Sequence, residues 1–504
     1  MYNFKRAIFI FAFFQFLVIA LFAQDKKDGT ITAAQSEKLY RPFIHFTPAK
    51  GWMNDPNGMF YKDGVYHLYF QHYPDSTVWG PMHWGHATST DLMHWKEQPI
   101  AIYPDSIGLI FSGSAVVDEH NTSGFGENGK APIVAIFTQH NMQGEKNGSI
   151  DFQTQSIAYS NDNGYTWKKY AGNPVIKNPG IKDFRDPKVI WYEPSKKWIM
   201  VLAVKNKVSF YSSSNLKDWT KESDFGMELG SHDGVWECPD LFSLKYNGKT
   251  YWVLTSSINP GGPNKGSATQ YFIGEFDGHI FKSNSTKTKW MDYGADNYAG
   301  VTFSNTGGNS NNNGRAISIG WMSNWMYAQQ VPTVSWRSAT TTARTLYIAE
   351  EKGETYLGSM PIIIPDSKPI QLKGLTDVKL PFLINMTEQP IGSFTISMSN
   401  KLGEHIDFGY DSANNQYFID RTAAGINSFN NEFAAKHVAP RISQSKFQNR
   451  FKVIVDKTSI ELFGDFGLTV MTDIFFPTIP YDKVSVQSKN ENLKNQFRLF
   501  YLTP

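Results

Sequence analysis

The sequence contains a single cysteine, Cys238, in 504 residues. No intramolecular disulfide can form, so the fold must rest on packed cores alone. Net charge is nearly absent: 48 basic against 46 acidic residues leave +2. Nothing in that balance asks for nucleic acid or an anionic membrane as a partner. Sustained helical periodicity is missing between Pro42 and Tyr347, which leaves strands as the building element there. Long apolar runs are missing too, except at the start. Lys5-Arg6 precede an apolar stretch from Ala7 to Ala23, and polar Gln24-Asp25-Lys26-Lys27 follow. That is the pattern of an export signal over residues 1–23, with Leu21-Phe22-Ala23 as the cleavage site and no stable membrane insertion after cleavage. Export without disulfides fits a periplasmic or extracellular bacterial enzyme.

Aromatic residues are what the chain has in quantity: 15%, with 14 Trp, 24 Tyr and 37 Phe. They favour strands and supply stacking surfaces, so the expected class is all-β. The length is too great for one core and predicts two folded units. After a polar leader (24–40), five strand-like segments recur: Gly64 to Phe70, Ala131 to Thr138, Lys197 to Val204, Thr250 to Ser256 and Ala316 to Met322. Their spacing of roughly 50–70 residues suits propeller blades with loops. Polar turns ending in Trp95, Trp167 and Trp219 recur with them. A two-sheet sandwich would not need five such blocks, and the expected fold over 41–350 is a five-bladed β-propeller. Residues 351–369 are charged, then Pro-bounded, and read as a linker. Alternating β segments over 370–504 predict a C-terminal β-sandwich.

The chain is organised around Trp52-Met53-Asn54-Asp55-Pro56-Asn57-Gly58. Pro56 is expected to stiffen Asp55 in an extended conformation, and Asn57-Gly58 to form a tight reversal before the next strand. Two later segments echo it: Asp186-Pro187-Lys188 and Glu237-Cys238-Pro239-Asp240. In a propeller the first strand of each blade lines the axis. Equivalent positions on three blades would therefore bring three carboxylates to one axial mouth. Three carboxylates amid aromatics point to glycoside hydrolysis. Asp55, short and rigidly placed, suits the nucleophile. Glu237, longer and set between Trp236 and Cys238, suits the proton donor. Asp186 follows Arg185, whose charge should keep it ionised for hydrogen bonds to sugar hydroxyls.

The three segments, read as Trp52 to Gly58, Phe184-Arg185-Asp186-Pro187 and Trp236 to Asp240, resemble the signature motifs of glycoside hydrolase family 32. The similarity runs on through Trp79 to His86, Phe111 to Ser114, Gly266 to Phe272 and Gly320 to Ala328, and in the sandwich rests on Ser459 to Phe463. The resemblance implies a propeller with a sandwich, a retaining mechanism and β-fructofuranoside substrates such as fructan or sucrose; separately, no cofactor and no metal is expected. It implies Asp55 as nucleophile, Asp186 as transition-state stabiliser and Glu237 as acid/base. It also implies Asn54, Gln71, Trp79, Phe111, Ser112 and Arg185 as sugar contacts, with Trp321 an aromatic wall. The stretch Gly320 to Thr333 is more similar to exo-acting fructanases than to plant invertases. An invertase, an endo-acting enzyme and a non-catalytic fructan-binding protein are the alternative readings. His83-x-x-His86 lacks a third ligand and reads as structural. Asn305 to Arg315 reads as a hairpin tip.

Overall fold

The structure, a computed structural model, describes residues 31–306, 316–386, 392–443 and 451–503. The export signal and most of the Asn-rich tip lie outside them. Among the described residues no helix is long and apolar enough to cross a membrane.

Five antiparallel sheets come first. Their opening strands are Gly51–Lys62, Leu109–Val117, Phe184–Tyr192, Val235–Tyr246 and Tyr298–Thr302, one each for blades I to V. Each opening strand packs against the next, and the fifth returns to the first, closing a ring around an axis. The recurrent apolar segments are the second strands: Val65–Tyr73, Ile133–His140, Lys197–Val204, Lys249–Asn259 and Ala316–Met322. They read as continuous apolar runs because a blade is covered on both faces by its neighbours. Trp336–Arg337 pairs in parallel with Gly51–Trp52 and ties the end of the ring to its start.

The Trp-ended turns form one repeated device. Trp95, Trp167 and Trp219 each donate their indole N–H to the carbonyl three residues earlier, on Leu92, Gly164 and Leu216, at 3.1–3.2 Å. Ser89, Ser160 and Ser213 cap the same turns through hydroxyl contacts to Asp91, Asp162 and Asn215. The turn therefore satisfies its own backbone and half-buries its ring against the blade.

Two six-stranded sheets over 370–501 form the C-terminal sandwich, with one continuous apolar core between them. Three local expectations are corrected. The end of the polar leader is a helix, Ala33–Tyr40, because Thr32 and Gln35 make a reciprocal capping box. Asn57-Gly58 is not a reversal: it continues the first strand, and the turn falls at Asp63-Gly64, both at positive φ. The segment from 351 is not yet linker, because Glu354–Pro361 pairs with Arg344–Glu351 as the outer strand of blade V.

Candidate active site

Every opening strand carries a β-bulge at the same level. The extra residue falls after Met53, Ile110, Arg185, Glu237 and Tyr298 on blades I to V. A bulge kinks the strand and re-aims its side chains, here towards the axis. Asp186, Cys238 and Ala299 occupy one bulge position and share left-handed φ values of 64°, 44° and 53°. For residues with a Cβ this costs on the order of 1 kcal/mol each. The register refines the repeat argument. Asp186 is equivalent to Cys238, whereas Glu237 is equivalent to Arg185 and Tyr298. Asp55 stands one place further on, level with Ser112. The three acids thus occupy three consecutive levels on blades I, III and IV, and not one repeated position.

These side chains are wired together. Ser112 donates to Asp55 Oδ2 at 2.6 Å, and Asn54 Nδ2 donates to Oδ1 at 3.0 Å. Asn54 is itself fixed by the Trp52 indole at 2.7 Å. The Cys238 thiol lies 3.3 Å from Asp55 Oδ2 and 3.7 Å from Asp186 Oδ2, and its backbone N–H donates to Asp186 at 3.1 Å. The Asp186 N–H donates to Thr138. Arg185 grips Glu237 Oε1 through Nε and Nη2 at 3.2 and 2.9 Å, while its Nη1 goes to Asp183 at 2.7 Å. Tyr298 donates to Glu237 Oε2.

Electrostatics follow from burial. Desolvation, with the charge of Glu237, raises the Asp55 carboxyl; the bonds from Ser112, Asn54 and Cys238 oppose that rise. Desolvation also pushes Asp186 up to about 7, and Glu237 and Asp55 add to it. Arg185 pulls the other way but does not win. Its nitrogens are committed to Glu237 and Asp183, and its Nε stands 3.8 Å from Asp186. Arg185 therefore favours the ionised form of Asp186, as expected, but by less than burial disfavours it. Burial beside three acids holds the Cys238 thiol neutral, so it serves as a donor and not as a nucleophile. Three clustered carboxyls against one guanidinium retain a proton more readily than isolated carboxyls do. The Glu237 side chain is 22% exposed, against 6% for Asp186, so it is the one open to exchange with water.

Residues 45–359 match the model of the glycosyl hydrolases family 32 N-terminal domain, and residues 345–500 match the family 32 C-terminal model. The chain belongs to glycosyl hydrolase family 32. Curated relatives include a levanase of Bacillus subtilis, 43% identical over 97% of this chain and 74% of its own length. An extracellular exo-inulinase of Aspergillus niger is 40% identical over 89% of this chain and 92% of its own length. Among solved structures, the exo-inulinase from Aspergillus awamori superposes with a TM-score of 0.83 at 36% identity, covering 92% of this chain and 99% of the other. The β-fructofuranosidase from Schwanniomyces occidentalis, complexed with fructosyl-erythritol, gives 0.81 at 36% identity over 93% and 99%. The protein is a glycoside hydrolase with the propeller-and-sandwich architecture of its family.

The expected sugar contacts of this family 32 enzyme divide into three groups. Asn54, Ser112 and Arg185 touch the carboxylates directly. Half-buried Trp79 meets Phe111 edge-on at 6.0 Å, and Phe111 stacks flat on His140 at 4.3 Å, which forms an aromatic shoulder. Gln71 and Trp321 stand back. Gln71 holds Asn57 at 2.7 Å. Trp321 is fully buried, packed with Trp52, Trp325 and Tyr298, and presents no open face. The His pair splits, because residues three apart on a strand face opposite ways. His83 bonds to the Pro81 carbonyl, whereas His86 is buried against Tyr69 and His67. Among the described residues no cluster of three His, Cys, Asp or Glu could hold a metal.

Sequence reasoning missed Tyr298, Thr138 and Asp183. The signal for Tyr298 was available only through the bulge register, since Asn297-Tyr298-Ala299-Gly300 has no carboxylate and no proline. A cavity of about 490 Å³ at the opposite end of the opening strands, lined by Val116, Trp191, Leu241, Trp252 and Phe303, contains none of the acids. Buried Lys188, bonded to Asp240 and Thr302, is part of that lining.

Proposed function

We propose that this enzyme hydrolyses terminal β-D-fructofuranosidic bonds of fructans, levan or inulin, and releases fructose with retention of configuration. The observation that carries the catalytic assignment is the convergence of Asp55, Asp186 and Glu237 from three blades, with Cys238 in contact with two of them. Asp55, held by Ser112 and Asn54, attacks the anomeric carbon. Glu237 gives its proton to the departing glycosidic oxygen, and a fructosyl ester forms on Asp55. Glu237, now ionised, takes a proton from water. That water attacks the same carbon, fructose leaves, and Asp55 is restored. Asp186 binds ring hydroxyls and opposes the positive charge of the oxocarbenium-like transition state. Arg185 fixes Glu237 and faces the sugar, with Trp79 and Phe111 forming the wall beyond it.

Chain-end cleavage and export are supported by the curated relatives, a levanase and extracellular exo-inulinases. The experiment is to incubate the mature protein with levan, inulin and sucrose and resolve early products by size. Fructose alone from the first time points is expected. Early short oligomers would overturn chain-end cleavage, and activity on sucrose alone would make the enzyme an invertase. Inactivity on all three would return the protein to the class of binding proteins.

A further inference from the structure

Residues 292–297 connect the last short strand of blade IV to Tyr298, the first residue of blade V's opening strand. The segment makes much of its hydrogen bonding outside the propeller. The Tyr293 N–H donates to Val470 O at 2.7 Å, and the Asp296 N–H donates to Thr472 O at 2.9 Å. The Ala295 N–H donates to Asp473. In return the Thr472 N–H and hydroxyl donate to Asp292 at 2.8 and 2.6 Å, and the Ile474 N–H donates to Asp296 at 2.9 Å. All four partner residues, Val470, Thr472, Asp473 and Ile474, lie on the sandwich strand Thr469–Ile474. Both aspartates are buried and charge-paired, Asp292 with Arg344 and Asp296 with Arg421 of the sandwich at 2.7 Å. Gly294 is there because a Cβ would come within 2.2 Å of the Thr472 backbone. The segment is thus a bent stretch hydrogen-bonded along the edge strand of the sandwich, and it ends on the tyrosine that donates to Glu237.

We infer that the sandwich is a working part of the catalytic centre: by clamping residues 292–297 it sets the height of Tyr298, and Tyr298 orients the proton-donating carboxyl of Glu237. Tyr298, Asp292 and Asp296 are positioning residues that act through Glu237. This rests on Glu237 as the acid/base. The logic is mechanical. Arg185 fixes one carboxyl oxygen from blade III, and Tyr298 fixes the other from blade V. Releasing either leaves the carboxyl free to rotate away from the leaving oxygen.

A misaimed acid damages only reactions whose leaving group needs a proton. The test is kcat/KM, which reports the first, bond-breaking step, on sucrose and on p-nitrophenyl β-D-fructofuranoside, whose leaving group departs unaided. Tyr298→Phe and Asp296→Asn are each expected to lose tenfold or more on sucrose and less than threefold on the aryl fructoside. The double variant should be no worse than Tyr298→Phe alone, because the clamp acts through that ring. Thr472→Val, which removes one hydroxyl from the clamp and no charge, should show the same selective loss in smaller measure; it carries the test if Asp296→Asn does not fold. Equal losses on the two substrates, or additive losses in the double variant, would overturn the clamp and leave the sandwich as a brace. Glu237→Gln run alongside separates the two readings: if it too loses both substrates equally, the acid assignment fails first.

Discussion

At the scale of single residues, the site is a problem in holding acids close without letting them neutralise one another. Asp55 and Asp186 both take up protons more readily than free aspartates, chiefly because they are buried. The nucleophile must be ionised to attack, and the bonds from Ser112, Asn54 and Cys238 favour that form against burial. Ser112→Ala removes the shortest of these contacts. A hydrogen bond to a charged group contributes about 1.5–3 kcal/mol, so kcat/KM should fall by roughly 10- to 100-fold. The sign of the pH effect is fixed as well. Losing a donor to the ionised form raises the carboxyl further, so the acidic limb of the kcat/KM profile moves to higher pH. An unmoved limb would mean that Ser112 only fills space. Asp55→Asn should lose about 10⁴-fold or more in kcat while keeping its thermal transition.

At the scale of elements, the bulge decides where each side chain points. Motif spelling misled here: Asp-Pro at 55 and at 186 look alike, yet they sit one register step apart. The identities of all three acids were legible because each stands in a rigid, proline-marked segment. The ring of five bulges was not, since a bulge is a relation between two strands and a single segment cannot display it. The second strands were legible from their apolar runs, and the Trp turns from their spelling. The hairpin was placed too early, because Asn57-Gly58 has turn chemistry but its neighbours on both sides are already paired. Gly58 has φ 50°, and a Cβ there would meet the Trp84 ring at 2.6 Å and Tyr69 at 3.0 Å. Gly58→Ala should therefore cost about 2 kcal/mol or more, through strain and overpacking together, read as a lowered denaturant midpoint. Trp219→Phe, by contrast, removes one turn bond far from the acids. It should cost about 1 kcal/mol and leave kcat unchanged.

At the scale of the whole molecule, propeller and sandwich meet through charge. His45, at the entrance to blade I, places Nδ1 2.9 Å from Asp456 and Nε2 2.7 Å from Glu461, all fully buried. Glu461 also accepts from Arg344 and Thr342 of the propeller. This gives the acid of the Ser459 to Phe463 segment a structural role at the junction of the two units. Its partners lie more than a hundred residues away, and no local pattern announces them. Burial opposes the charge on His45, but the two carboxylates overcome it and raise the imidazole to about 9. Arg344 and His45 likewise overcome burial to lower Glu461 to about 2. The folded state thus holds the histidine's proton more tightly than the unfolded chain does. Its contribution, roughly 3 kcal/mol, is complete below pH 6.5 and is lost as pH climbs through about 9. The Glu461 contribution is present above about 4.5 and fades as pH falls through about 2. Calorimetry at pH 6 and pH 9 should show the transition of the natural protein falling across that interval. His45→Gln should start lower and fall less.

The central claim is that Asp55 is the nucleophile of a retaining fructosidase whose acid/base is Glu237. The most direct measurement is the mass of Glu237→Gln incubated with p-nitrophenyl β-D-fructofuranoside, followed by peptide mapping. The activated leaving group lets the first step proceed, while the missing base stalls the second. The account predicts one fructosyl group on the peptide containing Asp55, with a burst of nitrophenol equal to the enzyme present. A burst with the label on Asp186, or steady turnover with no labelled enzyme at any time, would contradict it.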